Sequence, residues 1–232
     1  MKERQKLQKE ALEILSQCQG YSNLLVSFFE KHLGKSVLEV GSGIGNITRL
    51  LVKKERIVVP SDIDKQSLEK LSLQFGNALF LDIAKNPPQN LAQKFDSVVM
   101  LNVLEHIKND LQALENVLKL LKPGGKLILL VPSHMCLYSD YDCKVGHQRR
   151  YNLREVQEKL RKVGFKIIKI NYFNKLGALG WFYNFKVRKR TYFPKPFIFS
   201  MNAVSGLTQL IDKVIAFPFG LSVICIAEKV RQ

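Results

Sequence analysis

The stretch Glu39-Val40-Gly41-Ser42-Gly43-Ile44-Gly45 sets three alternating glycines directly behind a carboxylate. Glycine tolerates positive φ and lets the backbone approach a ligand closely, so such a turn suits a bound nucleoside. Taken alone, the pattern equally describes a tight strand-to-helix turn. Two further acids favour the nucleoside reading. Asp62 stands where a carboxylate accepts both ribose hydroxyls, and Asp82 can take a hydrogen bond from an adenine amino group while Ile83 packs on the ring.

The same residues discriminate between nucleosides. A dinucleotide fingerprint requires glycine three positions after Gly43, but Asn46 stands there. Glu39 would repel a pyrophosphate and suits the positively charged end of a methionine moiety. No Gly-Lys-Ser/Thr follows, which excludes a P-loop.

Three histidines are candidates on an acceptor side: His106 in LEHI, His134 after an apolar run, and His147 opening GHQRRY. Each could serve as a general base or be a structural residue. His147 and His106 are taken as the catalytic candidates. Arg150, Tyr151 and His134 are taken as substrate-binding candidates, because Arg reads phosphate or carboxylate bidentately. The competing reading of Arg150 is a salt bridge at the approach to the following helix.

The elements that must position these groups alternate along the chain. SVLEV, IVVPSDI, ALFLDI, SVVMLNVL and KLILLVPS read as strands, each but the last followed by a helical or loop segment. LREVQEKLRKVG is one more helix, FKIIKINYF a sixth strand and LSVICIAEKV a seventh. Strands alternating with helices imply an α/β sheet, mostly parallel, with helices on both faces. The acids then sit at carboxyl ends of strands, where open α/β sheets bind ligands. Pro60 removes a backbone donor just before Asp62 and hints at an edge or bulge. Residues 1–33 read as a helical segment broken at Gly20, residues 34–174 and 221–232 as the main domain, and residues 175–220 as a cap with helices near 177–189 and 200–215.

The composition bounds the function. With 46% hydrophobic residues in 232, the chain can build a sizeable core. The start, MKERQKLQKE, lacks the apolar stretch of a secretory signal, and no apolar run reaches membrane-spanning length. Cys18, Cys136, Cys143 and Cys225 form no CxxC pair, so a reduced, cytoplasmic setting and no metal site are expected. The net charge of +16 is concentrated: residues 144–195 hold fifteen Lys/Arg against two Glu. A face so basic attracts an anionic substrate, anionic lipid or nucleic acid. Within it Trp181, Phe182 and Tyr183 interleave with Lys186, Arg188, Lys189 and Arg190, ahead of Tyr192, Phe193, Phe197 and Phe199. Such a pattern suits a cap packed on the domain, membrane-surface contact through 181–199, or nucleic acid.

VLEVGSGIGNITRLL, SDID, LDI, FDSVVMLNVLEHI and LKPGGKLILLVPS together resemble the successive motifs of class I S-adenosylmethionine-dependent methyltransferases, the small-molecule branch in particular. The resemblance covers residues 36–134 closely and 135–174 more loosely. It implies a Rossmann-like seven-stranded sheet of order 3-2-1-4-5-7-6 with the last strand antiparallel. It also implies that Glu39 orients the loop of Gly41, Ser42, Gly43 and Gly45, whose backbone cradles the methionine portion of S-adenosylmethionine. Asp62, with Ile63 beside it, would hold the ribose, Asp82 and Ile83 the adenine, and Asn102 and Val103 would line the methionine side. Tyr21 resembles an aromatic that covers the methionine carboxylate in some relatives.

Methyl transfer chiefly requires alignment and exclusion of water, and a base only where the acceptor arrives protonated. The expectation is methylation, at oxygen, of a small-molecule or lipid-linked anionic acceptor, by a cytoplasmic protein able to sit at the inner face of the membrane. An RNA methyltransferase using the basic 144–195 face ranks below it. A non-catalytic cofactor-binding protein is the alternative from another class, and Glu39 and Asn46 disfavour a nicotinamide-dependent oxidoreductase.

Overall fold

The computed structural model describes residues 2–192, 194 and 218–231. Two helices, α1 (Lys2–Gln17) and α2 (Gln19–Phe29), precede the sheet. There follow β1 (Ser36–Val40), α3 (Asn46–Lys53), β2 (Ile57–Asp62), α4 (Lys65–Phe75), β3 (Leu79–Phe80) and β4 (Phe95–Leu101). After them come α5 (Asp110–Leu120), β5 (Leu121–Pro132), α6 (Asp140–Val145), α7 (Leu153–Val163), β6 (Phe165–Phe173), α8 (Lys175–Trp181) and β7 (Ser222–Lys229). The seven strands form one sheet in the order 3-2-1-4-5-7-6. β1 to β5 run parallel, and β7 inserts antiparallel to both β5 and β6.

Side chains alternate across this sheet with period two, so each central strand feeds two cores. Leu38, Val98, Met100, Leu127, Leu129 and Cys225 face α5 and α7, where Leu114, Val117 and Leu160 meet them. Val37, Val99, Ile128, Leu130, Ile224 and Ile226 face the other way, against Leu25, Val26 and Phe29 of α2 and Leu51 of α3. A third cluster joins Leu137, Tyr141 and Val145 around α6 to Ala178, Trp181 and Phe185, with Leu7 of α1 packed on it.

Three local expectations are corrected, and one helix is added that the sequence did not announce. The N-terminal break falls at Cys18, and Gly20 lies inside α2. The third strand is only two residues long, because Asp82 and Ala84 turn away through a carboxylate-to-amide bond. Pro60 causes no bulge: the β1–β2 register is continuous through it, and β3 begins opposite Ser61. Ser61 directs both backbone groups to the β1 side, so Pro60 faces a side where β3 has not begun and its missing donor leaves nothing unpaired. Finally, α6 gave no periodic signal at six residues, yet its start is marked by Ser139, whose amide donates to Asp142 Oδ2 at 2.9 Å.

After β6, α8 starts at Asn174, which accepts from the Gly177 amide at 2.8 Å, and continues as a π-helical turn over Phe182–Val187. The helix expected near 200–215 lies outside the described residues. Among those described, no helix is long and apolar enough to cross a membrane.

Candidate active site

The glycine loop is built from β1 outward. Gly41, Gly43 and Gly45 take φ of 72°, 56° and 80°, the left-handed region in which a side chain is strained. A Cβ on Gly41 would also stand 2.5 Å from Val103 Cγ2, so the loop rests directly on the exit of β4. Ser42 ties it to β2: its amide donates to Ser61 O at 2.9 Å, and its hydroxyl accepts from the Ser61 amide at 3.1 Å.

Glu39, beneath the loop, is buried and accepts a hydrogen bond from the Thr48 hydroxyl. Burial pushes its carboxyl up to about 7, against the lowering effect of hydrogen bonds from Thr48 and Ser42. Asp62, at the end of β2, accepts from the Gly43 amide at 2.9 Å through Oδ2, and from Ile63 and Asp64 at 2.7 and 2.9 Å through Oδ1. Ile63 beside it is 64% exposed, free to cover a base or sugar. Asp82 Oδ1 accepts from the Ala84 amide, and Lys85 approaches Oδ2 at 3.4 Å. Ile83 departs from expectation. It is buried in the core with Leu38 and Val98, so its side chain is not offered to an adenine. Asn102 is exposed at φ 53°, held by its amide on Leu130 O at 2.9 Å. The positive-φ glycines, Asp62, Asp82 and exposed Ile63 fit a nucleoside of the S-adenosylmethionine type.

The sequence reading assigned α1 no part in this site, yet α1 crosses it. Leu12 lies 2.9 Å from where a Gly43 Cβ would be, and Asn46 Nδ2 donates to Leu12 O at 3.4 Å. Lys9 reaches Asp64 at 4.0 Å. At its other end Arg4 and Gln8 donate to Gly146 O and Val145 O at 2.8 Å each. Helical periodicity shows which face of α1 is apolar, not what covers it. Tyr21 of α2 packs on Phe173, ring centroids 5.9 Å apart.

Beyond β4 the chain assembles a second group. Leu104–His106 form one 3₁₀ turn, and the loop after α6 brings His147 back to it. The His106 and His147 rings meet edge-on at 4.7 Å. His147 Nδ1 bonds Asp142 Oδ1 at 2.7 Å, and its Nε2 stands 3.8 Å from Glu105 Oε1. Burial holds His106 down to about 4, with its Nδ1 3.3 Å from Gly146 O; it is neutral at physiological pH and a weak base. Glu105 is fully buried, and burial pushes its carboxyl up to about 7. Glu105 and Asp142 were not singled out in the sequence. The Ser139-to-Asp142 spacing of a capping box was the one readable signal for the second.

Two substrate-binding expectations are corrected. Arg150 is 3% exposed and spends its guanidinium on Asp142, with Nε–Oδ1 and Nη2–Oδ2 both 3.0 Å, while stacking 4.5 Å over Trp181. Tyr151 is 1% exposed and donates its hydroxyl to Asp110 Oδ2 at 3.0 Å. Both are core positions, because the bridge Ser133–Tyr151 pulls this segment under the sheet's end. His134, at φ 59°, is stacked between Tyr172 and Phe219, with centroids 4.7 and 4.3 Å away.

Known proteins resemble this chain in sequence and fold. The family described as "Methyltransferase domain" matches residues 38–127. A ubiquinone biosynthesis O-methyltransferase of Haemophilus ducreyi is 30% identical over 105 residues, 41% of this chain and 44% of that protein. A probable S-adenosylmethionine-dependent methyltransferase of Mycolicibacterium smegmatis is 27% identical over 142 residues, 58% of this chain and 53% of that one. The chain thus spans about half the length, or less, of the curated relatives it matches. Among solved structures, a Haemonchus contortus phosphoethanolamine N-methyltransferase 2 in complex with S-adenosyl-L-methionine superposes with a TM-score of 0.60 at 18% identity, over 91% of this chain and 53% of that one. Residues 38–127 thus carry a methyltransferase domain of the S-adenosylmethionine-dependent class, within a seven-stranded sheet of the matching order.

Proposed function

We propose that this chain methylates an oxygen of a small or lipid-linked anionic acceptor, at or near a membrane surface. The observation that carries the reading is the outer face of α8 and the turn after it. Leu179, Phe182, Tyr183 and Val187 are all about half exposed or more, and Lys186, Arg188 and Lys189 stand among them. Apolar side chains interleaved with cations match the boundary between acyl chains and anionic headgroups. The likeness to ubiquinone biosynthesis O-methyltransferases supports oxygen as the acceptor atom.

S-adenosylmethionine supplies an already activated methyl group. The protein's work is alignment: Glu39 and the glycines hold the methionine portion, and Asp62 and Asp82 hold the nucleoside. His147 Nε2, whose other nitrogen Asp142 holds, would take the proton that an acceptor hydroxyl loses as the methyl carbon passes to its oxygen, the carbon–sulfur bond breaking to leave S-adenosylhomocysteine.

The test is transfer of labelled methyl from S-adenosylmethionine to lipid extracts and to water-soluble hydroxyl acceptors, beside co-sedimentation with anionic and neutral vesicles. Transfer into the lipid fraction with preference for anionic vesicles supports the reading. Transfer to RNA, with binding that falls steeply in salt, would replace it with the nucleic-acid reading.

A further inference from the structure

Glu105 has two carboxylate oxygens enclosed in the protein, and neither meets a hydrogen-bond partner. A buried carboxylate in that state is strongly disfavoured unless it takes up a proton or a cation joins it. The neighbouring cations do not. Arg150 is paired to Asp142 through two nitrogens, and Arg4 is spent on the carbonyl oxygens of Val145 and Gly146.

The two histidines beside Glu105 are arranged alike. His147 has Nδ1 against Asp142 Oδ1, and His106 has Nδ1 against Gly146 O, so each keeps Nε2 for a lone pair. One donor atom from each of Glu105, His106 and His147 lies within 4.8 Å of the other two.

We propose that Glu105, His106 and His147 form a binding site for one divalent transition-metal cation of the class that accepts mixed imidazole and carboxylate ligands, such as Zn²⁺, Mn²⁺ or Fe²⁺. Two imidazoles and one carboxylate are a recurrent three-ligand set that leaves further positions open to water or an acceptor oxygen. Asp142 behind His147 supplies the carboxylate–histidine–metal relay that fixes tautomer and ring orientation. Ca²⁺ and Mg²⁺, which prefer oxygen ligands, fit less well. Metal bonds of about 2.0–2.2 Å require the donors to draw in by about 1 Å, a rotamer-scale adjustment. A cation on His147 Nε2 takes the place of the proton that nitrogen would receive. It would then favour the deprotonated form of an acceptor oxygen directly, the proton leaving to solvent.

The chain, stripped with EDTA, is dialysed against Zn²⁺, Mn²⁺ or Co²⁺ in turn and its metal content measured, without cofactor or acceptor. One equivalent per chain is expected for at least one of them, and the Co²⁺ form should show visible bands of a nitrogen–oxygen site. Glu105→Gln and His106→Gln should each weaken uptake at least tenfold, with far-UV circular dichroism as the control for folding. Should Glu105→Gln fail to fold, the half-buried His106→Gln decides. Absence of stoichiometric uptake by the unaltered chain, or unchanged uptake by the folded variants, overturns the proposal. Because the readout is metal content alone, that outcome leaves the methyl-transfer reading standing.

Discussion

The carboxylate of Asp62 accepts the backbone amide of Gly43 at 2.9 Å, so the acid expected to hold the ribose also shapes the glycine loop. Asp62→Ala would strip acceptors from three amides, those of Gly43, Ile63 and Asp64, and from the sugar. Affinity for S-adenosylmethionine and S-adenosylhomocysteine should fall about 100-fold, on the order of 2.7 kcal/mol. Calorimetric titration with NADH as control reads it. An unchanged affinity would remove Asp62 from the cofactor site.

Gly41→Ala meets two obstacles, a φ of 72° and a Val103 methyl 2.5 Å from the new Cβ. It should lower stability by about 1–3 kcal/mol and weaken cofactor binding. Adding Val103→Ala removes the steric part but not the backbone strain, so the double variant should recover only partly. Denaturant unfolding of the four proteins in the cycle measures the coupling, and strict additivity would show that the contact does not matter.

Glu39 links stability to pH. Its ordinary value is 4.5 and burial raises it to about 7 in the folded chain. Between these values the folded state keeps a proton that the unfolded state has lost. Stability contributed by the neutral form is therefore lost as pH rises through the window and levels off above it, by about 3 kcal/mol at most. Glu105 shifts in the same direction and His106, held down to about 4, in the opposite one, so Glu39→Gln should remove only the Glu39 share of the fall between pH 5 and 8 in EDTA, at most about 3 kcal/mol. Urea unfolding at each pH supplies the profile, and a slope unaltered by the substitution would refute the assignment.

Tyr151 is a core residue bonded to Asp110, not an acceptor contact. Tyr151→Phe should cost about 1–2 kcal/mol of stability while leaving kcat/KM within about twofold. A folded variant whose kcat/KM collapses would restore the substrate-binding reading.

Leu12 on α1 covers Gly43, and Arg4 pins the same helix to the His147 loop. On the expectation that α1 moves for cofactor exchange, Leu12→Ala and Arg4→Ala should each speed cofactor release several-fold. Stopped-flow displacement of bound S-adenosylhomocysteine gives the rate. Equal release rates in all three proteins would mean that α1 does not gate the site.

Local chemistry made part of this protein legible in one dimension. The glycine spacing, the acids at strand ends and the period-two apolar runs all act between near neighbours along the chain. Glu39, Gly41, Gly43 and Asp62 could therefore be named without coordinates, and the apolar runs of β1, β4 and β5 could be read as strands, which the structure buries in the two cores. Ile83 was misread because alternation shows that a residue faces one side, not which side holds the ligand.

Only the tertiary structure decided the rest. Arg150 reads in sequence either as an anion binder or as half of a salt bridge, and folding decides for the second by placing the carboxylate of Asp142 at 3.0 Å and burying the pair. Glu105, His106 and His147 converge because the 3₁₀ turn after β4 and the loop after α6 meet in space. Leu12 reaches Gly43 for the same kind of reason. Propensity and periodicity report on neighbours within a turn or two, whereas a site closed by distant segments depends on how the two faces of the sheet bury their apolar area and what that packing brings together.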